Sequence, residues 1–187
     1  MSYNYYCYGQ VKNKDGKWVE FSKKPFADNL KSYIDLDDLP DCFERVLWDG
    51  SDRAKEGVAD TFVEQFKDTI SYGEAFVVRL DKFISHFQNK VEIQIAKLTG
   101  MLNCMGIDGE INWYDEDAIY NLMERNPQYD KQKSVPIAKS ALFELIKCSI
   151  ELNKLYYLLD IAKVFETMAY DIEDFSNEKK SFLIVVE

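Results

Sequence analysis

Glycine is scarce in this chain, at eight of 187 residues, which leaves little material for a phosphate-cradling loop. G-x-x-x-x-G-K-[ST], G-x-G-x-x-G and G-x-S-x-G are all absent. Histidine occurs once, as His86. A zinc site needs three or four ligands, and no cysteine or acid stands at ligand spacing from it. A Ser-His-Asp or Cys-His pairing would have to use this same residue. His86 is therefore read as an ordinary surface or partly packed side chain. The four cysteines, Cys7, Cys42, Cys104 and Cys148, form no C-x-x-C pair. Their aromatic and aliphatic neighbours, as in Tyr6-Cys7-Tyr8, fit buried reduced thiols. No apolar run approaches the roughly 20 residues that span a bilayer. The opening residues, Met1 to Tyr6, lack the basic and apolar regions of a signal peptide. The chain is expected to stay in the compartment where it is made, away from membranes.

What is present is aromatic and acidic. Twelve Phe, twelve Tyr and three Trp are enough to build a core, so one compact domain over residues 1–187 is expected. Net charge is −10, unevenly spread. Residues 28–74 hold 13 acids against 5 bases, a net of −8, and residues 108–130 hold 7 against 1, a net of −6. No segment offers the dense positive field that phosphate binding needs, so direct nucleic-acid binding is not expected. The complementary partner for such a surface is a basic protein.

Asp15-Gly16 between two aromatic, alternating runs predicts a hairpin of Tyr3–Lys12 with Lys17–Phe21. Asp38-Leu39-Pro40-Asp41 reads as a helix start, with Asp38 as cap and Pro40 in the first turn, running through Phe43, Val46 and Leu47. Gly50-Ser51-Asp52 would break it. A second helix is expected to carry Val58, Phe62, Val63, Phe66 and Ile70. Glu74–Leu80 reads as a strand. A helix follows with Phe83, Ile84, Phe87, Val91, Ile95, Leu98 and Leu102 on one stripe, ending at Gly106. A short acidic helix is expected from Asp115 to Asn126. The last helical region, from Ser134 to about Phe175, would be about 57 Å long as one rod, against a radius of gyration of about 16 Å for a globule of this size. It is expected either to break once or to protrude and pack on another chain, which would make a homo-oligomer through this C-terminal helix. The apolar run Phe182–Val186 suggests a central strand covered on both faces. The fold class is therefore α+β: a small mixed or antiparallel sheet of N-terminal hairpin, central strand and C-terminal strand, covered by several helices.

No catalytic site emerges. Aligning Gly109 with the invariant glycine of a calcium loop puts Cys104 and Gly106 at ligand positions, so that match fails. Asp171, Glu173, Asp174 and Glu178 fail likewise, with Phe175 and Ser176 in the way. Asp15-Gly16-Lys17 resembles a nuclease triplet only by sitting in a turn where Asp-Gly is expected. No cofactor or metal is predicted, and the chain is read as not an enzyme. An unrecognised carboxylate or metal site is the alternative from that class.

The candidate site is the acidic stretch itself. Asp35, Asp37, Asp38, Asp41, Glu44, Asp49, Asp52, Glu56 and Asp60 recur every few residues. Carboxylates so spaced on helical faces would imitate a row of phosphates. Trp48, Tyr72, Trp113 and Tyr114 lie within or beside the acidic segments, as anchors for an interface or as core.

Three stretches carry a resemblance. Met-Ser-Tyr with Gly16-Lys17-Trp18, then Glu74–Ile84, then Leu183-Ile184-Val185-Val186 are together similar to small acidic phage and mobile-element proteins. That class includes inhibitors of host defence, anti-CRISPR proteins among them. The resemblance implies a protein of the bacterial host cytoplasm that blocks the nucleic-acid site of a basic nuclease. An immunity protein against a toxin nuclease is the alternative from the same class.

Overall fold

The computed structural model describes residues 4–28, 30–34, 40–46, 57–71, 75–107, 111–113, 115, 117–118, 121, 139–170 and 177–186. The fold is α+β. In chain order come β1 (Tyr5–Lys12), β2 (Trp18–Glu20), β3 (Glu44–Arg45), α1 (Asp60–Gln65), α2 (Lys67–Ser71), β4 (Ala75–Arg79), α3 (Leu80–Cys104), α4 (Lys139–Met168) and β5 (Lys180–Val186). The strands make one antiparallel sheet in the order β2-β1-β5-β4-β3.

The expected hairpin forms. Gly16 takes φ 78°, a conformation that glycine adopts without a Cβ clash. The Asn13 side-chain oxygen accepts from the N–H groups of Asp15 and Lys17, at 3.0 and 2.9 Å. Polar turn chemistry thus fixes the loop, and the loop fixes the register of Lys12 opposite Trp18.

The described residues group into two compact units, Met1–His86 with Leu159–Glu187, and Phe87–Leu158. The first unit holds the whole sheet. Its central strand is β5, buried along its length, as the apolar run at the end of the chain predicts. On one face, Tyr8, Ala75, Val77, Leu183 and Val185 pack with Phe62, Val63 and Phe66 of the α1 region. On the other, Phe182 lies 5.2 Å from both Phe26 and Phe83 and 5.3 Å from Phe165, centroid to centroid. Each such ring pair adds about 0.5–1.5 kcal/mol beyond the area it buries.

One buried polar residue ties the sheet to α1. Gln10 is fully buried and lies in the centre of β1. Its Oε1 accepts from Ala59 N–H at 3.0 Å, and its Nε2 donates to the carbonyl of Gly57 and to Ser181 Oγ, the latter at 3.2 Å. Ala59 is the residue before the first turn of α1 and has no side chain of its own to cap it. Gln10 therefore satisfies from another element the N-cap N–H that a Glu or Gln at the third helical position would reach in a capping box, where this chain has Phe62.

In the second unit, α3 ends as the sequence predicts. Gly106, at φ 69°, lets Ile107 N–H reach back to Leu102 O and Gly106 N–H to Asn103 O, both at 3.0 Å. This pair of bonds closes the helix end in a left-handed cap. Gln94 Nε2 of α3 donates to Cys148 O of α4 at 2.8 Å.

Two expectations are corrected, and one open alternative is narrowed. No helix runs through Phe43 and Val46: Phe43 N–H bonds back to Pro40 O in a turn, and Glu44–Arg45 form an edge strand on β4. The helix expected over Val58–Ile70 is two helices meeting at Phe66, with Val58 ahead of the first; no residue type marks that break. The C-terminal helical region does not break within α4, whose 30 residues run unbroken from Lys139 to Met168. Residues 134–138 and 171–175 of that expected region lie outside the described residues, as does most of the acidic helix expected after Asp115. Its start is helical, with Asn121 N–H on Asp117 O at 2.8 Å. Among the described residues no helix is long and apolar enough to cross a membrane.

Candidate protein interface

Of the nine acidic candidates, Asp41, Glu44 and Asp60 are described, and all three are exposed. Asp35, Asp37, Asp38, Asp49, Asp52 and Glu56 lie outside the described residues. Asp41 is held outward by the Pro40–Phe43 turn. Glu44 projects from β3 at one edge of the sheet. Asp60 opens α1, where the positive end of the helix dipole favours a carboxylate.

Glu44 is not a free anion. Its Oε1 accepts from Lys82 Nζ at 3.2 Å. Arg79 and Asp81 stand beside this pair. Arg79 donates two hydrogen bonds to the Asp81 carboxylate, the Nε one at 3.0 Å. Burial alone would raise the Asp81 carboxyl, but the hydrogen bonds from Arg79 and the Lys82 backbone, with the Arg79 charge, hold it below the usual carboxylate range. The same hydrogen bond raises the Arg79 guanidinium, opposed by its partial desolvation and helped by the charges of Asp81, Glu178 and Glu44. With Arg45 also exposed on β3, the described charges at this edge balance, Asp41, Glu44 and Asp81 against Arg45, Arg79 and Lys82.

A cleaner acidic row lies on α1 and α2, and the candidate list holds only its first member. Asp60, Glu64 and Asp68 follow at four-residue intervals and all are exposed, while Phe62, Val63 and Phe66 between them face the core. Among the described residues these three carboxylates make no ion pair. Their four-residue spacing is legible in the sequence, and it was the signal for Glu64 and Asp68. All six described acids of residues 28–74 are exposed.

The opposite edge of the sheet is basic. Lys12, Lys14 and Lys17 of the β1–β2 hairpin and Lys23 and Lys24 after it are all exposed. Lys12 Nζ sits 5.7 Å from the Trp18 ring centroid, a cation–π distance.

The remaining candidates contribute little. Trp113 is half-buried, and Trp48, Tyr72 and Tyr114 lie outside the described residues. His86 is half-buried on α3. None of the four cysteines is in a disulfide: Cys7, Cys42 and Cys148 are buried and Cys104 is exposed. Burial pushes the Cys7 thiol far above the ordinary range, the reverse of what a nucleophilic cysteine needs. Asp15-Gly16-Lys17 lies in the hairpin turn. Among the described residues no three His, Cys, Asp or Glu side chains are grouped to hold a metal ion. No family model, curated protein or solved structure matches the chain.

Proposed function

We propose that this protein is a non-enzymatic inhibitor that binds a basic nucleic-acid-handling protein and occupies its nucleic-acid site, in the cytoplasm of a bacterial host. The observation that carries this reading is the row Asp60, Glu64 and Asp68 on the outer face of helices whose inner face is core. Asp60 and Glu64 lie one turn apart on α1, about 6 Å along its axis, and Asp68 follows on α2 past the break at Phe66. A groove that binds phosphates places arginines and lysines to receive anions in such a series. The protein would present carboxylates there on a fold held rigid by the sheet behind. Asp41 and the other candidate acids of residues 35–60 would supply further carboxylates to the partner. In this reading a CRISPR-Cas nuclease, whose positively charged channel holds guide and target, is the favoured target.

The test is a pull-down from host lysate on the immobilised protein, washed at low and then high salt, followed by a cleavage assay on any nuclease retained. A basic nuclease that is shed at high salt, and is inhibited by the native protein, is the expected result. Reversing Asp37, Asp38, Asp41 and Glu44 to Lys, or Asp60, Glu64 and Asp68 to Lys, should abolish binding while the fold persists. Binding that survives both reversals would sink the proposal.

A further inference from the structure

Within the unit Phe87–Leu158, α4 has two apolar faces. One carries Leu145, Cys148 and Leu152, all buried. The other carries Phe143, Ile146, Ile150 and Tyr157, which are 66%, 48%, 52% and 37% exposed. At about 100° per residue the second set falls within about 60° of arc, roughly opposite the first. A helix on the surface of a domain has one apolar stripe and a polar remainder. Here the polar residues are confined to the flank, as Glu144, Lys147, Glu151 and Lys154. The exposed stripe also has a regular spacing. Phe143, Ile146, Ile150, Asn153 and Tyr157 follow at intervals of three, four, three and four, the repeat with which one helix packs along another.

We propose that this stripe is an interface between two copies of the chain, α4 against α4 about a two-fold axis. The charge balance favours a second copy over a charged partner. The two flanking glutamates and two flanking lysines cancel, and Lys154 already pairs with Glu151 at 3.2 Å. No local field selects a partner of either sign, and none repels an identical face. The area also fits. The four side chains leave the equivalent of two large side chains in water, on the order of 400 Å² at about 200 Å² each. A standard interface buries about 800 Å² on each partner, of which somewhat more than half is apolar. A self-complementary patch on one helix is the simplest way to supply the same surface twice. Asn153, the one polar member of the stripe, would set the register at some expense of affinity.

Sedimentation velocity on the full chain, from about 1 to about 200 μM, tests this directly. A monomer–dimer equilibrium is expected, weakened at least about tenfold by Ile150→Glu and tightened by Asn153→Leu. High salt should leave it intact or strengthen it, the opposite of the behaviour expected for the acidic contact. Should Ile150→Glu fail to fold by circular dichroism, Phe143→Glu serves in its place, since Phe143 is the most exposed of the four at 66% and has the least packing to lose. A chain that is monomeric throughout, including one that instead captures a different protein on this stripe, overturns the proposal. A dimer indifferent to both substitutions overturns it too.

Discussion

The Phe165 ring lies directly over Gly9: a Cβ on Gly9 would come within 2.9 Å of three ring atoms. The ring has nowhere to go, because Phe26 stacks on it at 5.1 Å and Phe21 and Phe182 meet it edge-on at 5.7 and 5.3 Å. Gly9→Ala should therefore destabilise the protein by about 2–4 kcal/mol through overpacking. Urea unfolding measures it. Phe165→Leu in the same background should recover part of the loss by vacating the space.

Gln10 gives a second, independent test. Gln10→Leu keeps the volume but removes the acceptor of Ala59 N–H, the donor to Gly57 O and one of the two hydrogen bonds of Ser181 Oγ. A loss of about 2–4 kcal/mol is expected, since each stranded buried group costs about 1–3 kcal/mol. Amide exchange should show Ala59 losing protection more than β1 itself.

Asp81 sets a pH dependence. Its carboxyl is held below its ordinary value of 3.8 in the folded chain. The stabilisation it brings is complete above that value and is lost as pH falls toward the depressed one. Asp81→Asn should be less stable than the native chain at neutral pH by about 0.5–1 kcal/mol, the pair being part-exposed and screened. The two proteins should converge in acid below pH 3.8. Thermal melts at a series of pH values would check this, and a constant gap down to strong acid would contradict it.

The row Asp60, Glu64, Asp68 should carry a small cost in stability. Like charges four apart on a helix repel by about 0.2–0.5 kcal/mol per pair. The one such pair is Asp60 with Glu64 on α1, since Asp68 lies past the break at Phe66. Glu64→Lys turns that repulsion into attraction and should stabilise the chain by about 0.4–1 kcal/mol at low salt, with the gain shrinking at high salt. Such a gain, in a variant that also binds its target less well, is the pattern expected where a surface is kept for recognition at the expense of stability.

Thiol chemistry should separate the cysteines. Cys104 is exposed, whereas Cys7, Cys42 and Cys148 are buried. A colorimetric thiol reagent at mild alkaline pH should modify Cys104 in the native protein within minutes. The other three should follow only with unfolding, Cys7 last, since burial disfavours its thiolate.

The elements that sequence reasoning found are those with local causes. Asp15-Gly16 dictates its turn, Gly106 its helix end, and the wholly apolar Phe182–Val186 its place in the middle of the sheet. The strand at Glu44–Arg45 has no such cause. Phe43, Val46 and Leu47 fit a helical face, while Phe43 and Val46 fit opposite faces of a strand equally well. Pro40 and Asp41 start a turn as readily as a helix. What decides is β4, more than 30 residues away, whose free edge pairs with Glu44 and Arg45. A cross-strand partner is invisible to local pattern. The acidic site was half-legible for a similar reason. Composition located the stretch, but only the fold shows that Glu44 meets Lys82 while Asp60 meets no cation among the described residues.

The position of β5 has a kinetic consequence. The pairs β1–β2 and β3–β4 can each form by themselves, but neither touches the other. Only β5 joins them, and its contacts with β1 bring together residues 171 apart in sequence, as between Gln10 and Ser181. The loop entropy of that closure must be met before the two strand pairs share a sheet. The domain therefore has a high relative contact order despite its helices, and its rate-limiting step should be the insertion of one strand between two waiting edges.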